Sequence, residues 1–142
     1  MEDIREYFKQ DALAKHLGIE LADVSPGSAV AKMAVRDIHR NSHGTVHGGA
    51  IFTLADFAFA AASNSHGTVA VALNAGINFT RPASAGVLTA TASEVSCGRT
   101  VATYSVTVTD DAGKTVALFQ GMVFRKGEAV GKDRQQAEGN RQ

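Results

Sequence analysis

The chain carries no surplus of either charge: lysine plus arginine and aspartate plus glutamate each total 14. With no basic run and no phosphate-seeking excess, neither a nucleic acid nor an anionic membrane is an expected partner. There is one cysteine, Cys97. It has no second thiol to pair with, which fits a reducing cytoplasm, the expected location. The first ten residues, MEDIREYFKQ, are acidic and amphipathic and lack an apolar h-region, so no secretory signal is expected. No apolar run reaches membrane-spanning length, because Asp56 interrupts the best candidate. Internal repeats and a second domain are missing too. What is there is one ordinary domain's worth of chain, 142 residues with 44% hydrophobic and 20% charged. That is enough to bury a core without staples.

Ile4, Tyr7, Phe8, Ala12, Leu13, His16 and Leu17 recur at three- and four-residue steps, which predicts one amphipathic helix over 3–17, ended near Gly18. Residues 18–24 and 28–36 read as strands joined by Ser25-Pro26-Gly27, a hairpin signal. In the second, Ala31, Met33 and Val35 alternate with Lys32, Ala34 and Arg36. The longest helical stretch is 48–64, GGAIFTLADFAFAAASN, apolar on nearly all sides and therefore expected to be buried all round. Four strands follow, at 68–80, 86–97, 99–109 and 115–125, with Asp110-Asp111-Ala112-Gly113 turning into the last. The domain spans 1–126, and the polar, glycine-punctuated tail 127–142 is expected to be mobile.

One buried helix followed by an antiparallel meander predicts an α+β fold, an antiparallel sheet wrapped around one long central helix. Short hairpin connections exclude a parallel architecture. Such a sheet leaves an open edge strand, and edges of that kind are commonly covered by a second copy. A homodimer or a dimer of dimers (a homotetramer) is expected.

From Asn41 to Thr80 the only formally charged residue is Asp56, set mid-helix among Leu54, Ala55, Phe57 and Phe59. A carboxylate there loses hydration, which is unfavourable unless a partner or a function compensates. Such a group either caps something or forms a buried ion pair, or it is a general base or nucleophile facing a cleft. His47-Gly48-Gly49 opens the same helix. Glycines at a helix start leave backbone N–H groups open, and with the positive end of the dipole they suit a polarised carbonyl oxygen. Gly48 and Asp56 lie eight residues apart, about 12 Å along one helix. Hydrogen-bond reach is only about 3 Å, so one carbonyl cannot touch both. If both act on one substrate, they come from two chains.

Other chemistries fare worse. His43 and His47 have the spacing of a helical zinc pair, but Gly44 follows the first where a glutamate belongs, and no metal or cofactor is expected. No G-x-S-x-G elbow is present for a serine hydrolase. His66 beside Gly67 reads as part of a helix C-cap, and Cys97, with no base nearby in sequence, as an inert thiol.

The run Asn41-Ser-His-Gly-Thr-Val-His47-Gly48-Gly49 followed by Leu54-Ala55-Asp56 resembles the PaaI subfamily of hotdog-fold acyl-CoA thioesterases, associated with phenylacetate degradation. Ile77-Asn78-Phe79-Thr80-Arg81-Pro82, Gly98-Arg99-Thr100 and Val123-Phe124-Arg125 look like the same family, so the resemblance covers about 17–126. It implies hydrolysis of a small or aryl-acyl-CoA. Gly48 would polarise the thioester carbonyl, and Asp56 of the partner subunit would attack it or activate water. Asn41 would hold the water or the carbonyl, His47 would shape the pocket next to the oxyanion site, and Gly49 would line the substrate site. Arg81, Arg99 and Arg125 are the candidates for the coenzyme A phosphates. Where some relatives use a serine after the helix, this chain has Ala72, which leaves that role empty or to Asn74. Phe52, Phe57, Phe59 and Phe79 are aromatic-pocket candidates, or simply core. The remaining alternatives are a hotdog hydratase or dehydratase using His47 with Asp56, and an acyl-CoA-binding protein without turnover.

Overall fold

The computed structural model describes residues 1–131. Two short helices, α1 (Glu2–Phe8) and α2 (Ala12–Leu17), lead into the hairpin β1 (Ile19–Ser25) and β2 (Ser28–Ala34). A 3-10 turn (Asp37–His39) and a loop precede the long helix α3 (Gly48–Asn64). Then come β3 (Thr68–Phe79), β4 (Val87–Cys97), β5 (Val101–Thr109) and β6 (Thr115–Ala129). The six strands form one sheet in the order β1-β2-β4-β5-β6-β3, every neighbouring pair antiparallel.

The sheet wraps α3 as expected. Alternation decides which face it presents: Ala102, Tyr104, Val106 and Val108 of β5 are buried, as are Ala29, Ala31 and Met33 of β2. They meet Leu54, Ala55, Ala58 and Phe59 of the helix, all within 1% of full burial. Small residues let the sheet come close. A Cβ on Gly121 would lie 2.6 Å from the Phe59 ring, which also packs against Phe119 and Tyr104 at centroid distances of 5.4 and 6.0 Å.

Four expectations are corrected. The helix predicted over 3–17 is two helices, because Asp11 stops the first register and caps the second, accepting the Ala14 N–H at 3.0 Å. The break re-aims the chain, and Gly18, at φ +72°, ends α2. The strands after α3 are not a simple meander: β3 pairs with β6 at the far edge, and β4 sits beside β2. Residues 80–86, with Arg81-Pro82, are therefore a crossing connection rather than a hairpin. Helix α3 is not buried all round, since Gly49 is exposed and Phe52, Thr53, Asp56 and Ala60 are half-buried along one stripe. Last, β6 continues to Ala129, past the expected start of the tail at 127, while 132–142 lie outside the described residues.

At the edge, β3 is twelve residues long, hydrogen-bonded only to β6, and contains no charged residue. Val71, Leu73 and Phe79 are exposed on it. Among the described residues no helix is long and apolar enough to cross a membrane.

Candidate active site

The loop before α3 is tied down from several directions. Arg40 pairs with Asp37 at 3.2 Å and donates to the carbonyls of Gly44 and Ser84, both at 2.8 Å. Behind it, the buried His39 accepts the Arg36 N–H at Nδ1 and faces the Leu17 carbonyl with Nε2 at 2.8 Å, so the ring carries its proton on Nε2. Asn41 is used within the loop: its Oδ1 accepts the N–H groups of His43 and Thr45 at 2.9 and 3.2 Å, and its Nδ2 donates to Thr45 Oγ1 at 3.0 Å. The second Nδ2 hydrogen has no partner among the described residues.

That loop delivers His47 to the cap of α3, where Nδ1 accepts the Gly49 N–H at 2.8 Å. The two glycines therefore differ, which the sequence did not reveal. Gly49 has spent its donor on the cap. The Gly48 N–H has no acceptor among the described residues and points out of the positive end of a 17-residue helix. A side chain at Gly48 would meet the Phe79 ring at 3.0 Å, so the open donor sits beside an aromatic wall.

Two turns on, Asp56 lies half-buried on the open stripe. No hydrogen-bond donor reaches its carboxylate among the described residues. Burial first, and the charge of Asp11 second, push its pKa above the ordinary carboxylate value. Asp11 was missed from the sequence as a neighbour of the site, although an Asp before Ala-Leu-Ala is a legible helix cap. Thr53, also on the stripe, turns its hydroxyl back to the Gly49 carbonyl at 2.7 Å.

The other candidates disperse. Phe52 stands on the stripe against Phe119, with ring centroids 5.4 Å apart, whereas Phe57 and Phe59 are core. Ala72 pairs with Val123, and Asn74 pairs with Met122, which faces away from the helix. The extra residue Leu73 causes this, since a bulge resets the alternation between them. Asn74 thus lines a shallow groove on the outer face with Thr103, Gln120 and Met122, and does not take the empty place at Ala72. Arg81 is exposed just beyond Phe79, at the Gly48 end. Arg99 and Arg125 sit at the other end of the sheet, where Arg125 donates to the Gly98 carbonyl at 2.9 Å. Strand β3 runs between the two ends, a span of roughly 36 Å. Within one chain the three arginines cannot meet at one phosphate.

Residues 43–117 match the family model of the thioesterase superfamily. The acyl-coenzyme A thioesterase PaaI of Escherichia coli is 43% identical, the match covering 87% of this chain and 89% of that protein. Human acyl-coenzyme A thioesterase 13 is 33% identical over 82% of this chain and 89% of its own length. Among solved structures, that of E. coli PaaI superposes with a TM-score of 0.86 at 41% identity, covering 90% of this chain and 94% of that one. The chain belongs to the thioesterase superfamily, with the hotdog fold, and is a thioester hydrolase.

Proposed function

We propose that the protein hydrolyses small or aryl-acyl-CoA thioesters of the phenylacetyl-CoA kind, in sites shared between two copies. The observation that carries this reading is Asp56: a half-buried carboxylate with raised basicity and no partner among the described residues, on the helix whose Gly48 N–H is likewise without an acceptor among them. The acyl-CoA thioesterases among its relatives support the substrate class.

The Gly48 N–H and the dipole of α3 would take the thioester oxygen and stabilise the negative charge it gains on attack. Asp56 of the partner subunit either attacks the carbonyl carbon or removes a proton from water so that hydroxide attacks. In the first route the C–S bond breaks to release the thiolate, which takes a proton from solvent. Water then hydrolyses the mixed anhydride left on Asp56 of the partner subunit. In the second the C–S bond breaks and the departing thiolate recovers the proton held by Asp56 of the partner subunit. Separation by about 12 Å along one helix argues for two chains. The long, uncharged, unpaired edge of β3, beside the open stripe, suits a second copy in antiparallel register. Asn41 with its remaining Nδ2 hydrogen, and His47 as cap, would position the carbonyl and the water. Phe52 and Phe79 would wall the acyl pocket, and Arg81 from one copy with Arg99 from the other would hold coenzyme A phosphates.

Purified protein given phenylacetyl-CoA and a thiol-reactive dye should release coenzyme A catalytically, and Asp56→Asn should not. Equal release by the variant would sink the role of Asp56, and no release from any acyl-CoA would sink the substrate class. Mixed dimers of Asp56→Ala and a Gly48 variant should recover part of the activity, since one of their two sites is intact. Verified mixed dimers without activity would refute the shared site.

A further inference from the structure

The far end of α3 gathers a second set of reactive side chains that hydrolysis does not use. His66 follows the helix cap, and Glu94 and Cys97 lie near the end of β4. His66 Nε2 is 2.6 Å from Glu94 Oε2, and the nitrogen, oxygen and sulfur of the three residues all lie within 4.8 Å of one another.

A strand does not do this by default. Residues three apart on a regular strand point to opposite faces. Here the register slips between Glu94 and Ser96: Glu94 pairs with Tyr104, Ser96 with Thr103 and Cys97 with Ala102. Tyr104 and Ala102 are both buried on the inner face, so the extra residue Val95 brings Glu94 and Cys97 to the same side. The carboxylate is also held in place. Tyr104 donates its hydroxyl to the same Oε2 at 3.1 Å, and Gly27 leaves room, since a Cβ there would lie 2.7 Å from that oxygen. Ser65, next to His66, accepts the Gly27 N–H at 2.7 Å, which locks the helix end to the β1–β2 turn.

We propose that His66, Glu94 and Cys97 form a surface site for a zinc-class divalent cation. Imidazole nitrogen, carboxylate oxygen and thiolate sulfur are the donors such ions take, with bonds of about 2.0–2.3 Å and so neighbouring ligand atoms roughly 3.5 Å apart. The observed separations, from 2.6 Å to under 4.8 Å, bracket that value. His66 and Cys97 are both exposed, so their side chains have room to turn toward a shared ion. Thiolate and carboxylate together neutralise a dication, and solvent completes the fourth position. Tyr104 serves as the outer partner that aims the carboxylate. Arg125 does not compete for Glu94, because its guanidinium is engaged with the Gly98 carbonyl and, more loosely, Thr68. This chemistry was invisible from Cys97 alone, which has no base beside it in sequence but has Glu94 and His66 beside it in space.

Cobalt(II) is the test, because a thiolate ligand gives it a near-ultraviolet charge-transfer band. The full protein should show that band saturating at one equivalent, and zinc should abolish it. Cys97→Ser should lose the band, and Tyr104→Phe should weaken binding roughly tenfold. A parallel measurement needs no variant: one equivalent of zinc should slow alkylation of Cys97 at least tenfold. Absence of the band, its persistence in Cys97→Ser, or an unchanged alkylation rate would overturn the site. None of these readouts depends on thioester hydrolysis.

Discussion

Phe79 lies edge-on to the bare backbone of Gly48, its ring 3.0 Å from the place a Cβ would occupy. The start of the central helix and the end of the edge strand are thereby fitted closely enough that a methyl group at Gly48 would push the ring aside by a few tenths of an ångström. Gly48→Ala keeps the N–H but displaces the ring, so kcat/KM should fall about tenfold or more while the melting temperature changes little. Phe79 is 53% exposed, and truncating it should leave the fold standing. Phe79→Ala in the Gly48→Ala background should recover part of the loss, a coupling of about 1 kcal/mol in a double-mutant cycle. Strictly additive losses would show that the contact is unrelated to activity.

Asp56 gives a prediction in which stability and activity separate. Its folded pKa is raised, so its contribution to stability is present below the unfolded carboxylate value and is lost as pH rises through the folded one. At neutral pH the ionised group is therefore a liability. Asp56→Asn should melt higher than wild type at pH 7, with the difference vanishing in acid, while its hydrolysis collapses. A variant that melts lower at pH 7 would mean that the carboxylate has a stabilising partner.

Asp11 allows a finer test. It raises the pKa of Asp56 less than burial does, and it also caps α2. Asn caps about as well as Asp, so Asp11→Asn removes the charge and keeps the helix. If Asp56 acts as its carboxylate, kcat/KM falls on the acid side as pH drops through its pKa. The variant should shift that limb to lower pH, with the neutral-pH rate unchanged. A limb that stays in place would assign it to another group.

Much of this was legible in the sequence, and the rest was hidden for identifiable reasons. Helix α3 could be bounded at 48–64 because nothing in it breaks a helix and glycines open it, and Ser25-Pro26-Gly27 announced the first hairpin. Strand periodicity gave β5 and its inward residues, since alternation is a local property. The partner of β3 was not local. Pairing with β6 rather than β4 is a choice among distant strands that no single strand encodes. The bulges at Leu73 and Val95 were hidden for the same reason, and each flips a residue that matters. One removes Asn74 from the helix side, and the other brings Cys97 to Glu94.

Core packing around Gly121 offers a test of the fold alone. The Phe59 ring occupies the space that a side chain there would need, 2.6 Å from the ideal Cβ, and is itself held by Tyr104 and Phe119. Gly121→Val should therefore cost about 1–3 kcal/mol by overpacking, read as a lower denaturant midpoint. The smaller, ringless side chain of Phe59→Leu in the same background should restore some of it. A neutral Gly121→Val would place the helix further from the sheet than described.

The arginines part company on the same physical grounds. Arg81 is exposed beside the Gly48 end with no side-chain partner among the described residues, whereas Arg125 is half-buried and spends its guanidinium on the turn at Gly98. Losing a charge-assisted contact to a phosphate removes about 1.5 kcal/mol or more of binding, roughly tenfold. Arg81→Ala should accordingly raise KM for acyl-CoA about tenfold with kcat held. An acyl-pantetheine thioester, which lacks the phosphates, should be hydrolysed alike by variant and wild type. Arg125→Ala should instead lower the melting temperature, because it leaves the Gly98 carbonyl and the β4–β5 turn without their anchor. The pantetheine substrate decides the matter: an equal KM rise on both substrates would mean that Arg81 shapes the pocket rather than gripping a phosphate.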